Sequence, residues 1–158
     1  MSTTIIQMTV PAKAQALRDV RKAVRASTVD VGCGPEWTEE LVLAVDEACQ
    51  NIIRHAYKDS DTGIIEIEAR RRSDERGDAL VVDLIDYAAP IDRASVRSRD
   101  LDDVRPGGLG TFFIRQCVDE CAFLEPPLGA GNHLRLAKRI GVSAGAGCAA
   151  RQEDGHEQ

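Results

Sequence analysis

Two polar side chains that could do chemistry stand four residues apart in residues 41–57, LVLAVDEACQNIIRHAY. They are Glu47 and Asn51. The apolar residues around them recur at helical spacing, and a helix places residues that are four apart on one side. A carboxylate there can accept a proton, and an amide oxygen can bind a hard cation. A solvated helix face would show the same pattern, so this pair needs support from other segments.

A third candidate is the carboxylate of Asp86, which ends the apolar run ALVVDLID of residues 79–86. A carboxylate at the end of a strand can accept a hydrogen bond from an exocyclic amine. The alternative is an Asp that only starts a turn, which is a common role for this residue.

The run RPGGLGT, residues 105–111, places three glycines directly before a segment with helical apolar spacing. Glycines let the backbone approach an anion closely, and a helix N-terminus offers N–H groups and a favourable dipole to a phosphate. The order of residues fits neither a GxxxxGK[ST] loop nor a GxGxxG motif in a first βαβ unit. Glycines that serve only tight packing are the alternative.

These candidates must be positioned by a fold whose elements can be predicted from apolar periodicity and turn residues. We expect strands at 4–10, 64–70, 79–85, 122–126 and 132–139, helices at 12–30, 36–57 and 107–120, and a long loop at 87–106. This order predicts an α+β, two-layer sandwich with helices on one face of a mostly antiparallel sheet. Leu109, Phe113, Ile114 and Cys117 are expected to face inward from the last helix. Residues 141–158 are small and polar, and we expect a disordered tail.

Composition limits the class of protein. The chain has 158 residues, 43% of them hydrophobic, which suits one domain over residues 1–140. Its 20 Lys and Arg against 26 Asp and Glu give a net charge of −6, which argues against direct nucleic-acid binding. The chain has no long apolar run and no secretion signal, so we expect a cytoplasmic protein without membrane insertion. The five cysteines include no CxxC pair and are expected to be buried or half-buried free thiols.

Taken in order, the segments resemble the GHKL (histidine-kinase-like) ATPase superfamily, and most closely the anti-sigma-factor serine kinases of the RsbW type. The resemblance rests on LVLAVDEACQNIIRHAY for the N-box, VVDLIDYAAPID for the first glycine box, RPGGLGTFFIRQCVDE for the second and GNHLRLAKRI for the closing strand. It implies the Bergerat fold over nearly all of residues 4–140.

The resemblance also implies a site for ATP and Mg²⁺. Glu47 would be the general base toward a target serine, and Asn51 would be a Mg²⁺ ligand at the nucleotide. Asp86 would accept a hydrogen bond from the adenine amino group. The second glycine box would surround the phosphates, with Arg105 at the γ-phosphate; the residues concerned are Arg105, Gly107, Gly108, Leu109, Gly110 and Thr111.

The function implied by the resemblance is an ATP- and Mg²⁺-dependent serine protein kinase in a partner-switching system. It would phosphorylate a STAS-type anti-sigma-factor antagonist and sequester a sigma factor or similar target. A homodimer is implied, with the first strand and helix as its surface. One alternative is a binding module that acts by sequestration alone. A sensor-kinase ATPase module that passes phosphate to His is less well supported, because no dimerisation helix carrying an acceptor His precedes the domain.

Three residues, in two segments, depart from the family pattern. Ala88 stands where the first glycine box usually has Gly, and Asn132 and His133 stand where a small hydroxyl residue is common. If the usual Gly needs a positive φ or contacts the nucleotide, the added methyl group of Ala88 would strain the turn or weaken adenine binding. Nucleotide affinity is therefore where this chain is expected to differ from its family.

Overall fold

The computed structural model describes residues 2–60, 62–92 and 109–141, with side chains from residue 112 onward in the last range. The elements in chain order are β1 (Ser2–Pro11), a 3₁₀ turn (Ala14–Ala16), α1 (Leu17–Asp30), α2 (Pro35–Asn51), a π-helical turn (Ile52–Ala56), β2 (Ile64–Asp74), β3 (Gly77–Asp86), α3 (Leu109–Cys117), β4 (Glu120–Leu124) and β5 (Asn132–Arg139). The long loop predicted at 87–106 and the tail predicted from residue 141 lie mostly outside the described residues. The limits of the domain therefore stay a prediction.

The five strands form one antiparallel sheet in the order β1-β2-β3-β5-β4. β2 and β3 form a hairpin in which Asp74 lies opposite Gly77. Further along β3, Asp86 lies directly opposite Asn132, the first residue of β5. The ends of the two strands therefore bring a carboxylate and an amide side chain together.

The helices cover one face of this sheet and form the core with it. Alternate strand residues point to opposite faces. On the helix side the apolar residues of β2 and β3 are fully buried, as are the apolar stripes of α1 and α2, whereas Met8 on β1 and Phe123 on β4 are partly buried. The largest of these buried side chains are Leu41, Ile65, Ile67, Leu80, Leu84 and Leu136. Each contributes about 1.5–3 kcal/mol by leaving water. The predicted α+β class, with helices on one face of an antiparallel sheet, is confirmed.

On the other face of the sheet, described residues form a charge cluster around Asp83. Asp83 on β3 is buried and contacts Nε of Arg135 at 2.7 Å, Nε2 of His133 at 2.7 Å and Nη1 of Arg70. Burial disfavours the charged form of Asp83, but these three donors outweigh it and hold the pKa of Asp83 below its usual range. The cluster therefore allows a carboxylate to stay ionised within a strand.

The single helix predicted at 36–57 is interrupted after Asn51. From Ile52 to Ala56 the turn is π-helical, and the Tyr57 N–H bonds to the carbonyl of Ile52, five residues earlier, at 3.0 Å. The chain then leaves the helix through Lys58 and Asp59, whose φ angles of 52° and 59° are left-handed. Such widened turns are often found at functional sites.

The helix predicted at 107–120 ends earlier, and the next strand begins earlier than expected. α3 ends at Cys117, whose carbonyl accepts a hydrogen bond from Nζ of Lys138 at 2.6 Å. The chain joins the sheet at Glu120, opposite Ala137. A strand start at residue 122 was therefore wrong by two residues.

The inward face predicted for α3 is partly wrong. Ile114 and Cys117 are buried, whereas Phe113 is 51% exposed. Phe112, beside it, is 58% exposed, and the two rings contact edge to face. Helical spacing alone did not distinguish these aromatic residues from core residues.

Two further findings concern the expected class of protein. Cys49 and Cys117 are buried free thiols and Cys33 is a half-buried one, as predicted for these three residues. Among the residues that the structure describes, no helix has the length and apolar character needed to cross a membrane.

Candidate functional site

Glu47 and Asn51 lie near the C-terminal end of α2, on the border between its buried and exposed sides. The helix begins with Pro35 and Glu36 in its first turn, both of which suit a helix N-terminus. The Glu47 side chain is 24% exposed, and Nη2 of Arg54 lies 3.5 Å from its Oε1. Among the described residues, no hydrogen bond reaches the side-chain amide of Asn51, which is half-buried. The end of the helix therefore offers one carboxylate and one unused amide.

The orientation of α2 is fixed by a carboxylate next to Glu47. Asp46 accepts a hydrogen bond from Nη1 of Arg21 on α1 at 2.6 Å, and another from Nε2 of Gln50 at 2.6 Å. Because Asp46 is tied to a second helix, α2 cannot rotate freely about its axis. Glu47 and Asn51 are consequently held at the border of the core.

Tyr57 connects this helix to the strand end that carries Asp86. Its hydroxyl donates to the carbonyl of Ile64, at the start of β2, at 2.6 Å and accepts a hydrogen bond from the N–H of Tyr87 at 2.8 Å. Its ring lies so close to Gly63 that a Cβ there would overlap it. Through this one side chain, the turn that follows Asp86 is fastened to the end of α2.

Asp86 is buried, with 3% of its surface exposed, and its two carboxylate oxygens differ in their hydrogen bonds. Oδ1 accepts hydrogen bonds from the Ala88 N–H at 3.0 Å and from Nδ2 of Asn132 at 2.9 Å. In the described part of the chain, no hydrogen bond reaches Oδ2. Burial raises the pKa of Asp86, while the two donors at Oδ1 oppose that rise.

The segment after Asp86 is held from the other side by the start of β5. The N–H of Gly131 donates to the Asp86 carbonyl at 2.8 Å. Asn132 reaches further, because its Oδ1 accepts from the N–H of Ile91 at 2.9 Å and its Nδ2 donates to the carbonyl of Ala89 at 3.2 Å. The segment 86–91 is therefore fixed by Tyr57 at one side and by Asn132 at the other.

The strain expected at Ala88 from a positive φ does not arise. Lys58 and Asp59 are the non-glycine residues with a positive φ in the described ranges, and Ala88 is not among them. The close approach in this turn falls on Gly131 instead, since a Cβ there would overlap the carbonyl oxygen of Ala88. Whether the methyl group of Ala88 weakens adenine binding stays a prediction.

Only part of the predicted glycine-rich segment belongs to the described residues. Arg105, Gly107 and Gly108 lie outside them, and their predicted contacts with phosphate are not tested. Leu109, Gly110 and Thr111 form the first turn of α3. The other end of that helix is fixed by Lys138, which is buried and also contacts Oε2 of Glu40 on α2 at 2.6 Å.

The residues described at this site fit ATP with Mg²⁺. The unused Oδ2 of Asp86 suits an amine donor, and the amide of Asn51 suits a metal. No group of three or more His, Cys, Asp or Glu side chains that could hold a metal occurs in the described ranges. A metal beside Asn51 would therefore take its other ligands from phosphate and water, which is typical of Mg²⁺.

The sequence predicts that Glu47, Asn51 and Asp86 share one site, but it did not indicate the residues that connect their segments. Tyr57 was seen only as the end of a helical segment, and Asn132 only as a departure from a pattern. Gly131 gave no signal, because a glycine between two strands is expected in any turn.

Comparison with known proteins assigns the family. The histidine kinase-like ATPase domain matches residues 10–138. Serine-protein kinase RsbW of Halalkalibacterium halodurans is 30% identical over 126 residues, which are 76% of this chain and 75% of that protein. Serine-protein kinase RsbW of Staphylococcus aureus is 30% identical over 132 residues, 77% of this chain and 80% of that protein. The chain belongs to the RsbW serine-protein kinases of the histidine kinase-like ATPase family.

Solved structures share the fold of this RsbW-type chain. The SiaB–SiaC complex of Pseudomonas aeruginosa matches with a TM-score of 0.59 at 17% identity, over 85% of this chain and 89% of that one. The RsbU and RsbW domains of Rv1364c from Mycobacterium tuberculosis match with a TM-score of 0.53 at 17% identity, over 85% of this chain and 32% of that one. The resemblance stated from the motifs is thus confirmed at the level of the family and of the fold.

Proposed function

We propose that this RsbW-type kinase uses ATP and Mg²⁺ to phosphorylate a serine of a STAS-type anti-sigma-factor antagonist. The observation that carries the proposal is the link through Tyr57, which joins the end of α2, with Glu47 and Asn51, to the turn after Asp86. Tyr57 thereby connects the segment with the proposed general base Glu47 and the proposed metal ligand Asn51 to the segment with Asp86, the carboxylate proposed to bind adenine. The proposed kinase would also sequester a sigma factor or similar target, and it would form a homodimer through β1 and α1.

In this proposal each side chain has one task. Asp86 accepts the adenine amine at Oδ2, and Asn51 holds the metal through its amide oxygen. Bound ATP with Mg²⁺ supplies the phosphoryl group and the charge that stabilises its transfer. Glu47 accepts the proton of the serine hydroxyl. The contact of Glu47 with Arg54 is half-exposed and 3.5 Å long, so it is weak enough to yield to that hydroxyl.

The experiment that tests the proposal is a transfer assay with the full chain, Mg-ATP and a STAS-type antagonist from the same organism, read as phosphoserine by mass spectrometry. Glu47→Gln keeps the shape of the side chain and removes the base, so we expect transfer to fall by about 100-fold or more while ATP affinity is kept. Glu39→Gln, an exposed position on the same helix, serves as the matched control and should leave both unchanged. Equal transfer by Glu47→Gln and the native chain would remove Glu47 from the role of base.

Asn51→Ala tests the metal ligand. Loss of the amide should weaken binding of Mg-ATP while binding of ATP in the presence of EDTA changes little. Unchanged Mg-ATP affinity would contradict the assignment of Asn51.

The second candidate function is sequestration without catalysis, which a strained or weakened nucleotide site at Ala88 would favour. That argument loses force because the φ of Ala88 is not left-handed and its N–H donates to Asp86. Binding of the antagonist with neither ATP binding nor phosphoserine would favour sequestration over the kinase.

A further inference from the structure

Asn132 uses its whole side-chain amide within the segment that carries Asp86. The two N–H bonds of Nδ2 go to Oδ1 of Asp86 and to the carbonyl of Ala89, and Oδ1 accepts from the N–H of Ile91. The amide can take only this orientation. If it were turned over, two acceptors would face its oxygen, and the Ile91 N–H would face its NH₂ group.

The effect on Asp86 is that one carboxylate oxygen is fully used. A carboxylate oxygen has two lone-pair directions, and those of Oδ1 are taken by Asn132 and the Ala88 N–H. The rotation of the carboxylate is therefore set, and Oδ2 is the oxygen that remains among the described residues. Asn132 itself is 7% exposed, so water does not compete freely for these bonds.

We propose that Asn132 is the positioning residue that gives this site its preference for a 6-amino purine. This inference rests on the proposed function, because it concerns the same nucleotide site. A carboxylate oxygen held in one direction accepts a hydrogen bond from the 6-amino group of adenine. In a 6-oxo purine the same oxygen faces a carbonyl oxygen, and the two acceptors repel each other. A carboxylate that rotates freely could turn away from that oxygen and would discriminate less.

The place of Asn132 in the register supports this role. It is the first residue of β5 and lies directly opposite Asp86, so the two side chains leave neighbouring strand ends on one face. A shorter hydroxyl side chain at this position could not reach Asp86, Ala89 and Ile91 together. Asn132 therefore couples the direction of the carboxylate to the path of the following segment.

The test compares the affinities of Mg-ATP and Mg-ITP by titration calorimetry for the native chain and for Asn132→Ala. ITP carries an oxygen where ATP carries the 6-amino group. We expect the native chain to prefer ATP by roughly tenfold or more, as for a buried acceptor that loses its donor. Asn132→Ala should lose most of that preference, with ATP weakened much more than ITP. A purely structural role would weaken both nucleotides by the same factor, and an unchanged ratio would overturn the proposal.

Asn132→Asp keeps the shape and the acceptor for the Ile91 N–H, and at a pH high enough to ionise both carboxyl groups it removes the donor to Asp86. It should also lose the preference for ATP, while the Ile91 amide keeps its native protection in hydrogen exchange followed by NMR. This variant keeps the test decisive where Asn132→Ala fails to fold. Asn132→Asp with native discrimination would contradict the role of Asn132 alone, whereas a native chain that binds neither nucleotide would overturn this role and the proposed function together.

Discussion

Gly131 lies so close to Ala88 that a Cβ at position 131 would overlap the carbonyl oxygen of Ala88. The same glycine donates its N–H to the Asp86 carbonyl at 2.8 Å. A glycine expected at position 88 from the family pattern is thus absent, and the close backbone approach in this turn requires a glycine at position 131.

Gly131→Ala should therefore damage both the fold and the site. The added methyl group must displace the Ala88 carbonyl, and we expect a loss of about 2 kcal/mol in the free energy of unfolding, as for overpacking in a tight contact. ATP affinity should fall as well, because Ala88 and Asp86 move together. Gly141→Ala, where nothing lies within 4 Å of the new methyl group, is the control. Urea denaturation of both variants measures the difference, and equal stability would show that the turn can relax.

Asp86→Asn should stabilise the protein at neutral pH and abolish ATP binding. Burial raises the pKa of Asp86 in the folded state, so its ionised form costs stability once the pH exceeds that pKa. Asn keeps an acceptor for Ala88 and Asn132, and we expect a gain on the order of 1 kcal/mol at pH 7. The gain should shrink as the pH falls through the folded pKa of Asp86 and vanish below the unfolded one. Thermal melts from pH 7 to pH 4 measure it, and a lower melting temperature for Asp86→Asn at pH 7 would contradict the expectation.

Asp83→Asn should have the opposite effect on stability. Three donors hold the pKa of Asp83 below its usual range, so its ionised form stabilises the fold. The contribution is fully present above the unfolded pKa of about 4 and is lost as the pH falls through the lower folded pKa. We expect a loss of about 2 kcal/mol at pH 7 for this variant, because buried donors lose a charged acceptor.

Denaturation of the native chain and Asp83→Asn at pH 7 and pH 3 measures this contribution. Asp78→Asn is the matched control, because Asp78 is a more exposed carboxylate on the same strand and should matter less. If the stability difference between the native chain and Asp83→Asn grew toward low pH, the result would contradict this prediction.

Cys49 should resist thiol reagents in the folded protein. It is fully buried on α2, and burial raises its pKa to about 12, so almost no thiolate exists at pH 8. Iodoacetamide should label the half-buried Cys33 before Cys49, which should react only as the protein unfolds. Peptide mass spectrometry of a labelling time course measures both rates, and equal rates would mean that α2 opens readily in the native state.

The sequence predicted the elements that are organised by long apolar patterns and missed those set by single contacts. The stripe around Leu41 and Val45 and the alternation through Ile65 and Ile67 were enough to predict a helix and a strand. The change from α2 to a π-helical turn depends on local hydrogen bonds, such as the one from the Tyr57 N–H to the Ile52 carbonyl. Such bonds do not alter the periodicity of apolar residues in the sequence.

The candidate site likewise contains residues that the sequence could indicate and residues that depend on single contacts. Glu47, Asn51 and Asp86 could be selected because their residue types suit chemistry and their motifs follow a familiar order. Tyr57 and Asn132 could not, because their role depends on the register that places β3 beside β5 and on the path of the chain after Asp86.

The strand order has a consequence for how the protein opens in solution. β3, which carries Asp86, is paired on both sides, whereas β1 and β4 are the edges among the described strands and are paired there on one side only. Local unfolding begins where few bonds must break, so β4 should exchange its amide hydrogens long before β3 does, and so should β1 in a monomer, where the proposed homodimer does not cover it. The carboxylate that would select the nucleobase thus stands on the slowest-exchanging part of the sheet, and fraying at either edge leaves it in place.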